Sequence, residues 1–141
     1  MASNRLRRHK VGRSRKVLFD SSFLIAVMER PTPWLQDIQE KLGGFEPVVI
    51  APVYAELERL ASGNSHAARF ASLAKQLVDG GTLKLAGGEV DRADEELVSM
   101  ALDEGAVVAT VDSALIEQLE ASGVRVIRLR GGRVEAEGPF S

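Results

Sequence analysis

Asp20, Glu56, Asp94 and Asp112 are the residues of this 141-residue chain whose types and spacing point to chemistry. Three fall near expected strand-to-helix junctions, in Val17-Leu18-Phe19-Asp20-Ser21-Ser22, Arg92-Ala93-Asp94-Glu95-Glu96 and Thr110-Val111-Asp112-Ser113. Glu56 lies three residues after Val53 and four before Leu60, which puts it on the apolar stripe of a helix expected over 52–61. A buried carboxylate without a partner is neutral or very costly. Gathered carboxylates also repel one another, so a fold that collects four of them calls for a cation. A divalent ion in turn suggests phosphate chemistry.

Each acid also has an ordinary explanation. Asp20 and Asp112 stand where helix N-caps are expected, and aspartate is a preferred cap. Asp94 shares the stripe of Leu97, Val98 and Ala101, yet it also fits an N-terminal box with Asp91, aided by the helix dipole. Asp91, Glu95 and Glu96 read as caps and first-turn charges, and Glu58 as a surface charge. Ser21, Ser22, Thr110 and Ser113 either bond their local backbone or support ligating carboxylates.

Alternating patterns position these residues. Apolar runs at 17–19, 48–50, 82–86, 106–111 and 124–129 read as strands. Helical spacing covers 22–29, 33–42, 52–61, 66–78, 91–104 and 113–121. Gly131-Gly132 turns the last core strand into a short hairpin over 133–136. The alternation predicts an α/β fold, a three-layer α/β/α sandwich with a central, mostly parallel twisted sheet. Right-handed crossovers bring the C-terminal strand ends to one edge, where ligands bind at a switch in strand order.

Net charge is −2, from 18 Lys/Arg against 20 Asp/Glu. Residues 1–16 carry Arg5, Arg7, Arg8, Lys10, Arg13, Arg15 and Lys16, with His9 and no acid. Setting those seven cations aside leaves 11 Lys/Arg against 20 Asp/Glu, a net of −9, for 17–141. The expected organisation is a basic arm over 1–16 and one domain over 17–141. A basic arm on an acidic body suits RNA phosphates or simple solubility. Arg125, Arg128, Arg130 and Arg133 read as surface charge on and beyond the last strand. The chain has no cysteine, which excludes disulfides and thiolate zinc sites. Two histidines, His9 and His66, make a histidine triad or zinc site a poor fit. Neither a G-x-x-x-x-G-K-[ST] loop nor a G-x-G-x-x-G motif is present. Apolar runs fall short of a membrane span, and a cytoplasmic setting with no membrane partner is expected.

The ordered set Val-Leu-Phe-Asp20-Ser-Ser-Phe-Leu, Pro52-Val-Tyr-Ala-Glu56-Leu, Asp94-x-x-Leu97-x-x-x-Ala101 and Thr110-Val-Asp112-Ser-Ala-Leu115 resembles the PIN-domain ribonucleases. The motifs span 17–129. The resemblance implies Mg²⁺ or Mn²⁺ held by Asp20, Glu56, Asp94 and Asp112 as catalytic residues. Ser21, Ser22 and Thr110, the hydroxyls beside these acids, are the expected supports. The resemblance also implies endonuclease action on single-stranded RNA, and homodimers. Archaeal members similar to the Fcf1/Utp24 rRNA-processing group look closest, which suggests a ribosome-assembly partner. VapC toxins, which pair with an antitoxin, share the same acids. A catalytically weak module that docks on RNA or protein is a further alternative, as is a phosphatase-like domain using Asp20 as nucleophile. Two departures from the family pattern are Ser21-Ser22, where Thr-Asn is frequent, and Val111, where Asn is frequent.

Overall fold

The computed structural model describes residues 15–88 and 92–136. Arg5, Arg7, Arg8, Lys10 and Arg13 of the basic arm, and Asp91, lie outside the described residues. The order is β1 (Arg15–Phe19), α1 (Ser21–Glu29), α2 (Trp34–Leu42), β2 (Phe45–Ile50), α3 (Ala51–Ala61), α4 (Ala68–Asp79), β3 (Lys84–Ala86), α5 (Ala93–Glu104), β4 (Val107–Ala109), α6 (Ser113–Ala121), β5 (Val126–Arg130) and β6 (Arg133–Ala136).

The six strands form one sheet in the order β3-β2-β1-β4-β5-β6. All pairings are parallel except β5–β6, whose hairpin turns on Gly131 and Gly132, both at positive φ. Successive crossovers run from β1 out to β2 and β3; the chain then returns past β1 to β4 and continues to β5. Strand order therefore reverses between β1 and β4, the place where a crevice opens in such sheets. Handedness puts α1 to α4 over one face and α5 and α6 over the other, which gives the expected three layers. Residues Val17, Leu18 and Phe19 pair with Val107, Val108 and Ala109 across that seam.

Parallel strands covered on both faces must be apolar throughout, and Val17–Phe19, Val48–Ile50 and Val107–Ala109 are buried. Phe19, Phe23 and Trp34 pack together, with Trp34 edge-on to both rings at 5.4 and 6.0 Å. At the far end Arg133 donates two 2.7 Å hydrogen bonds to buried Asp37, joining α2 to β6. That guanidinium holds the Asp37 carboxyl below the usual carboxylate range.

Several boundaries differ from the sequence expectation. The first strand begins at Arg15, so Arg15 and Lys16 belong to the sheet rather than to a free arm. Lys16 Nζ bonds Glu104 Oε1 at 2.6 Å, which ties this end of β1 to α5. The 66–78 helix starts only at Ala68, whose N–H bonds Ser65 in a turn. α5 starts at Ala93 rather than 91, with Arg92 as its cap residue. β4 ends at Ala109, because the Thr110 hydroxyl accepts the Asp112 N–H and turns the chain into α6.

Candidate active site

The edge at the C-terminal ends of β1 and β4 carries two aspartates with different local roles. Asp20 follows β1 and occupies the cap position of α1, yet its side chain accepts no capping bond. It is instead buried, with 5% of its surface exposed. The backbone is fixed by Asp20 N–H donating to Ala109 O at 2.9 Å, which extends the β1–β4 ladder. Its carboxylate receives the Ser22 hydroxyl at 2.6 Å and the Thr110 hydroxyl at 2.8 Å, both on Oδ2. The capping explanation therefore fails for Asp20, and two hydroxyl donors take its place, one from Ser22 nearby and one from Thr110, 90 residues away.

Asp112 caps α6. Its Oδ1 accepts N–H groups from Ala114 and Leu115 at 2.9 and 3.1 Å, and the residue is exposed. Fully buried Thr110 connects the two sites: its hydroxyl donates to Asp20 and accepts from the Asp112 backbone at 3.1 Å. The neighbouring Val111 N–H donates to Ser22 Oγ at 3.2 Å.

Glu56 and Asp94 approach from α3 and α5. Glu56 is half-buried rather than enclosed in the α3 stripe; Val53 and Leu57 are the fully buried positions there. Its Oε1 accepts the Ser21 hydroxyl at 2.9 Å, and Arg59 Nη2 stands 3.8 Å from Oε2. Asp94 is in the first turn of α5, on the exposed side of a helix that buries Leu97 and Ala101. Its carboxyl nevertheless loses enough hydration to raise its pKa, and the charges of Asp20, Asp112 and Glu56 raise it further. The four acids thus share one electrostatic neighbourhood. The groove beside Glu56 and Asp94 is about 600 Å³ and also holds Arg59, Arg92 and Glu95.

Among the described residues no three acidic or histidine side chains group closely enough to hold one ion jointly. The electrostatic coupling at Asp94 therefore acts over a longer range than one shared coordination sphere. The donor set still fits a hard cation, because every candidate ligand is oxygen. Mg²⁺ keeps several waters and binds proteins through one or two carboxylates plus substrate phosphates, so it needs no closed carboxylate cage.

A PIN-like domain model matches residues 17–132, nearly the whole described body. The chain belongs to the PIN-like domain family. As expected for a PIN-like domain, the fold resembles the PIN domain endonuclease Utp24, with a TM-score of 0.74 at 18% identity, covering 89% of this chain and 93% of that one. A domain of a functionally unknown protein from Methanocaldococcus jannaschii DSM 2661 aligns with a TM-score of 0.58 at 15% identity, covering 91% of this chain and 100% of that one. At these identities the likeness concerns the fold. A comparison with curated protein sequences returned no match. Among the described residues no helix is long and apolar enough to cross a membrane.

In this PIN-like domain the hydroxyls of Ser21, Ser22 and Thr110 lie on Glu56 and Asp20. Ser113 begins α6 and is exposed. Arg15 and Lys16 sit at the start of β1, at the opposite end of that strand from Asp20. Arg128 and Arg130 meet Glu120 and Glu135 at 3.3 and 2.8 Å, as ordinary surface pairs. Arg59 and Arg92 carry no sequence motif that marks them as functional. Their signal was spacing: each sits three residues from an acid, at Glu56 and Glu95, and reads as a routine helix-surface pair.

Proposed function

We propose that this PIN-like domain is a divalent-metal-dependent endoribonuclease that hydrolyses phosphodiester bonds in single-stranded RNA. One observation carries the reading. Asp20 is buried at the strand-order reversal, does not cap its helix, and is oriented by Ser22 and Thr110. A carboxylate kept in so poorly hydrated a place is costly unless a cation uses it.

Asp20, Glu56, Asp94 and Asp112 would hold Mg²⁺ or Mn²⁺, directly or through its waters. Such an ion, when bound, supplies positive charge to the phosphate and acidifies a water. The chain's own residues do the positioning. Thr110 and Ser22 fix the Asp20 carboxylate through Oδ2. Ser21 fixes Glu56 through Oε1. Asp112, whose Oδ1 is engaged by the α6 backbone, would hold the ion while capping its helix. Asp94, its pKa raised by burial and by the charges of Asp20, Asp112 and Glu56, is a carboxyl whose ionised form a nearby cation would favour.

The basic residues Arg5, Arg7, Arg8, Lys10 and Arg13 support a nucleic-acid substrate, and rRNA maturation is the setting suggested by the sequence resemblance to the Fcf1/Utp24 group. A toxin-type ribonuclease is the same chemistry in another setting. A docking module without catalysis is favoured by one fact, the lack of any three grouped ligands among the described residues. Labelled single-stranded RNA incubated with Mn²⁺ or with EDTA, beside an Asp20→Asn variant, separates these readings. Manganese-dependent cleavage that the variant lacks is the expected result. Binding without cleavage in any divalent ion would leave the docking module.

A further inference from the structure

The groove of about 600 Å³ beside the acids runs between α3 and α5, and each wall carries one guanidinium, Arg59 on α3 and Arg92 at the start of α5. Neither is committed to the fold. Their side chains are 69% and 65% exposed. Arg59 Nη2 lies 3.8 Å from Glu56 Oε2, too long for a hydrogen bond. Arg92 bonds Glu95 at 2.8 Å and makes no side-chain cap to α5. Exposed pairs of this kind contribute little to stability, so both cations are available to a ligand at small cost.

We propose that this groove seats the phosphodiester backbone of a single strand beside the scissile linkage, clamped between Arg59 and Arg92, and that a divalent ion on the acids is what admits it. The inference rests on the metal-dependent reading above. Glu56, Asp94 and Glu95 face two arginines across the lining, a net of −1, so the bare groove repels phosphate. An ion held by Glu56 and Asp94 reverses that sign. It also cancels the attraction between Glu56 and Arg59 and frees the guanidinium for a phosphate oxygen. Arginine suits the task because its planar fork meets phosphate oxygens in pairs. The volume is that of a small ligand, enough for a short stretch of one phosphodiester backbone.

The test is anisotropy of a short fluorescein-labelled oligouridylate, in Ca²⁺ as a substitute ion or in EDTA, across a salt series. The wild-type protein should bind tighter in Ca²⁺. Arg59→Gln and Arg92→Gln should each weaken the Ca²⁺ state by roughly threefold to tenfold and lower the salt slope by about one. Arg59→Lys should recover only part of the loss. Melting temperatures of all three variants should match wild type, since neither side chain supports the fold. Wild-type affinity and salt slope in both glutamine variants overturn the clamp, as does absence of binding by the wild type. Arginine-dependent binding that is equal in Ca²⁺ and EDTA overturns the gating by metal. Cleavage with Mn²⁺ is scored separately. A clamp without cleavage sinks the nuclease reading alone, and cleavage without arginine dependence sinks the clamp alone.

Discussion

The β1–α1 and β4–α6 junctions share a local sequence, an aspartate between a buried strand and a helix that begins with serine, and they use it in opposite ways. Asp112 turns its carboxylate onto the α6 backbone and stays exposed. Asp20 accepts no backbone N–H from α1, is buried, and takes its donors from the hydroxyls of Ser22, in the first turn of α1, and of Thr110, just past β4. An aspartate satisfied by its own helix is explained locally. One satisfied by side-chain hydroxyls, one of them from across the sheet, has forgone its cap, and a function for the carboxylate would account for that. The difference follows from the order of strands, since β1 lies in the middle of the sheet and has β4 beside it to supply Thr110.

Asp20→Asn tests that contrast most severely. Manganese-dependent cleavage should fall roughly 100-fold or more, with little change in the circular dichroism spectrum. Thr110→Val comes next, because it strikes both junctions. It should lower Mn²⁺ affinity by roughly 10- to 100-fold, measured by calorimetry, and should destabilise the chain by about 1–3 kcal/mol in urea unfolding. Asp112 can then be divided into its two roles. Asp112→Ala loses the cap and should cost about 1 kcal/mol, whereas Asp112→Asn keeps an equivalent cap and should leave stability nearly unchanged. If Asn at this position also leaves cleavage at wild-type level, Asp112 is a cap and nothing more.

The smallest effect is at Asp94. The folded chain holds that proton more tightly than the unfolded chain does. Stability therefore falls as pH rises from the ordinary aspartate range through the raised value, and the deficit is complete at neutral pH. Asp94→Asn should raise the metal-free melting temperature at neutral pH by roughly 1–2 °C, a modest gain because the residue is exposed and screened. The gain should vanish below the ordinary aspartate pKa and shrink in saturating Mn²⁺. A gain that persists in strong acid would mean that charge repulsion is not its source.

Much of this was legible before any coordinates. The run Val17-Leu18-Phe19 and the helix Ser113–Ala121 stand where apolar pattern and glycine signals put them, as does the Gly131-Gly132 hairpin. The ends of elements were harder. Arg15 and Lys16 look like the tail of a basic arm, but strand pairing with Phe45 and Glu46 outweighs their charge. Thr110 and Val111 look like strand and instead lead into α6, because the Thr110 hydroxyl takes the Asp112 N–H. Spacing could bring the acids to one edge, yet it could not say which aspartate would cap. That choice depends on Thr110, which is 90 residues from Asp20. Arg59 and Arg92 were illegible for a similar reason: their facing across a groove arises from the tertiary approach of α3 to the start of α5, which no local pattern records.

The hydroxyl of Thr110 reaches Asp20 only after β4 has docked beside β1, and β4 is made late in synthesis. A nascent chain that has folded β1, β2 and β3 still lacks the group that fixes its first carboxylate. On the proposed nuclease reading, a chain whose sheet is only partly assembled would lack a positioned metal ligand.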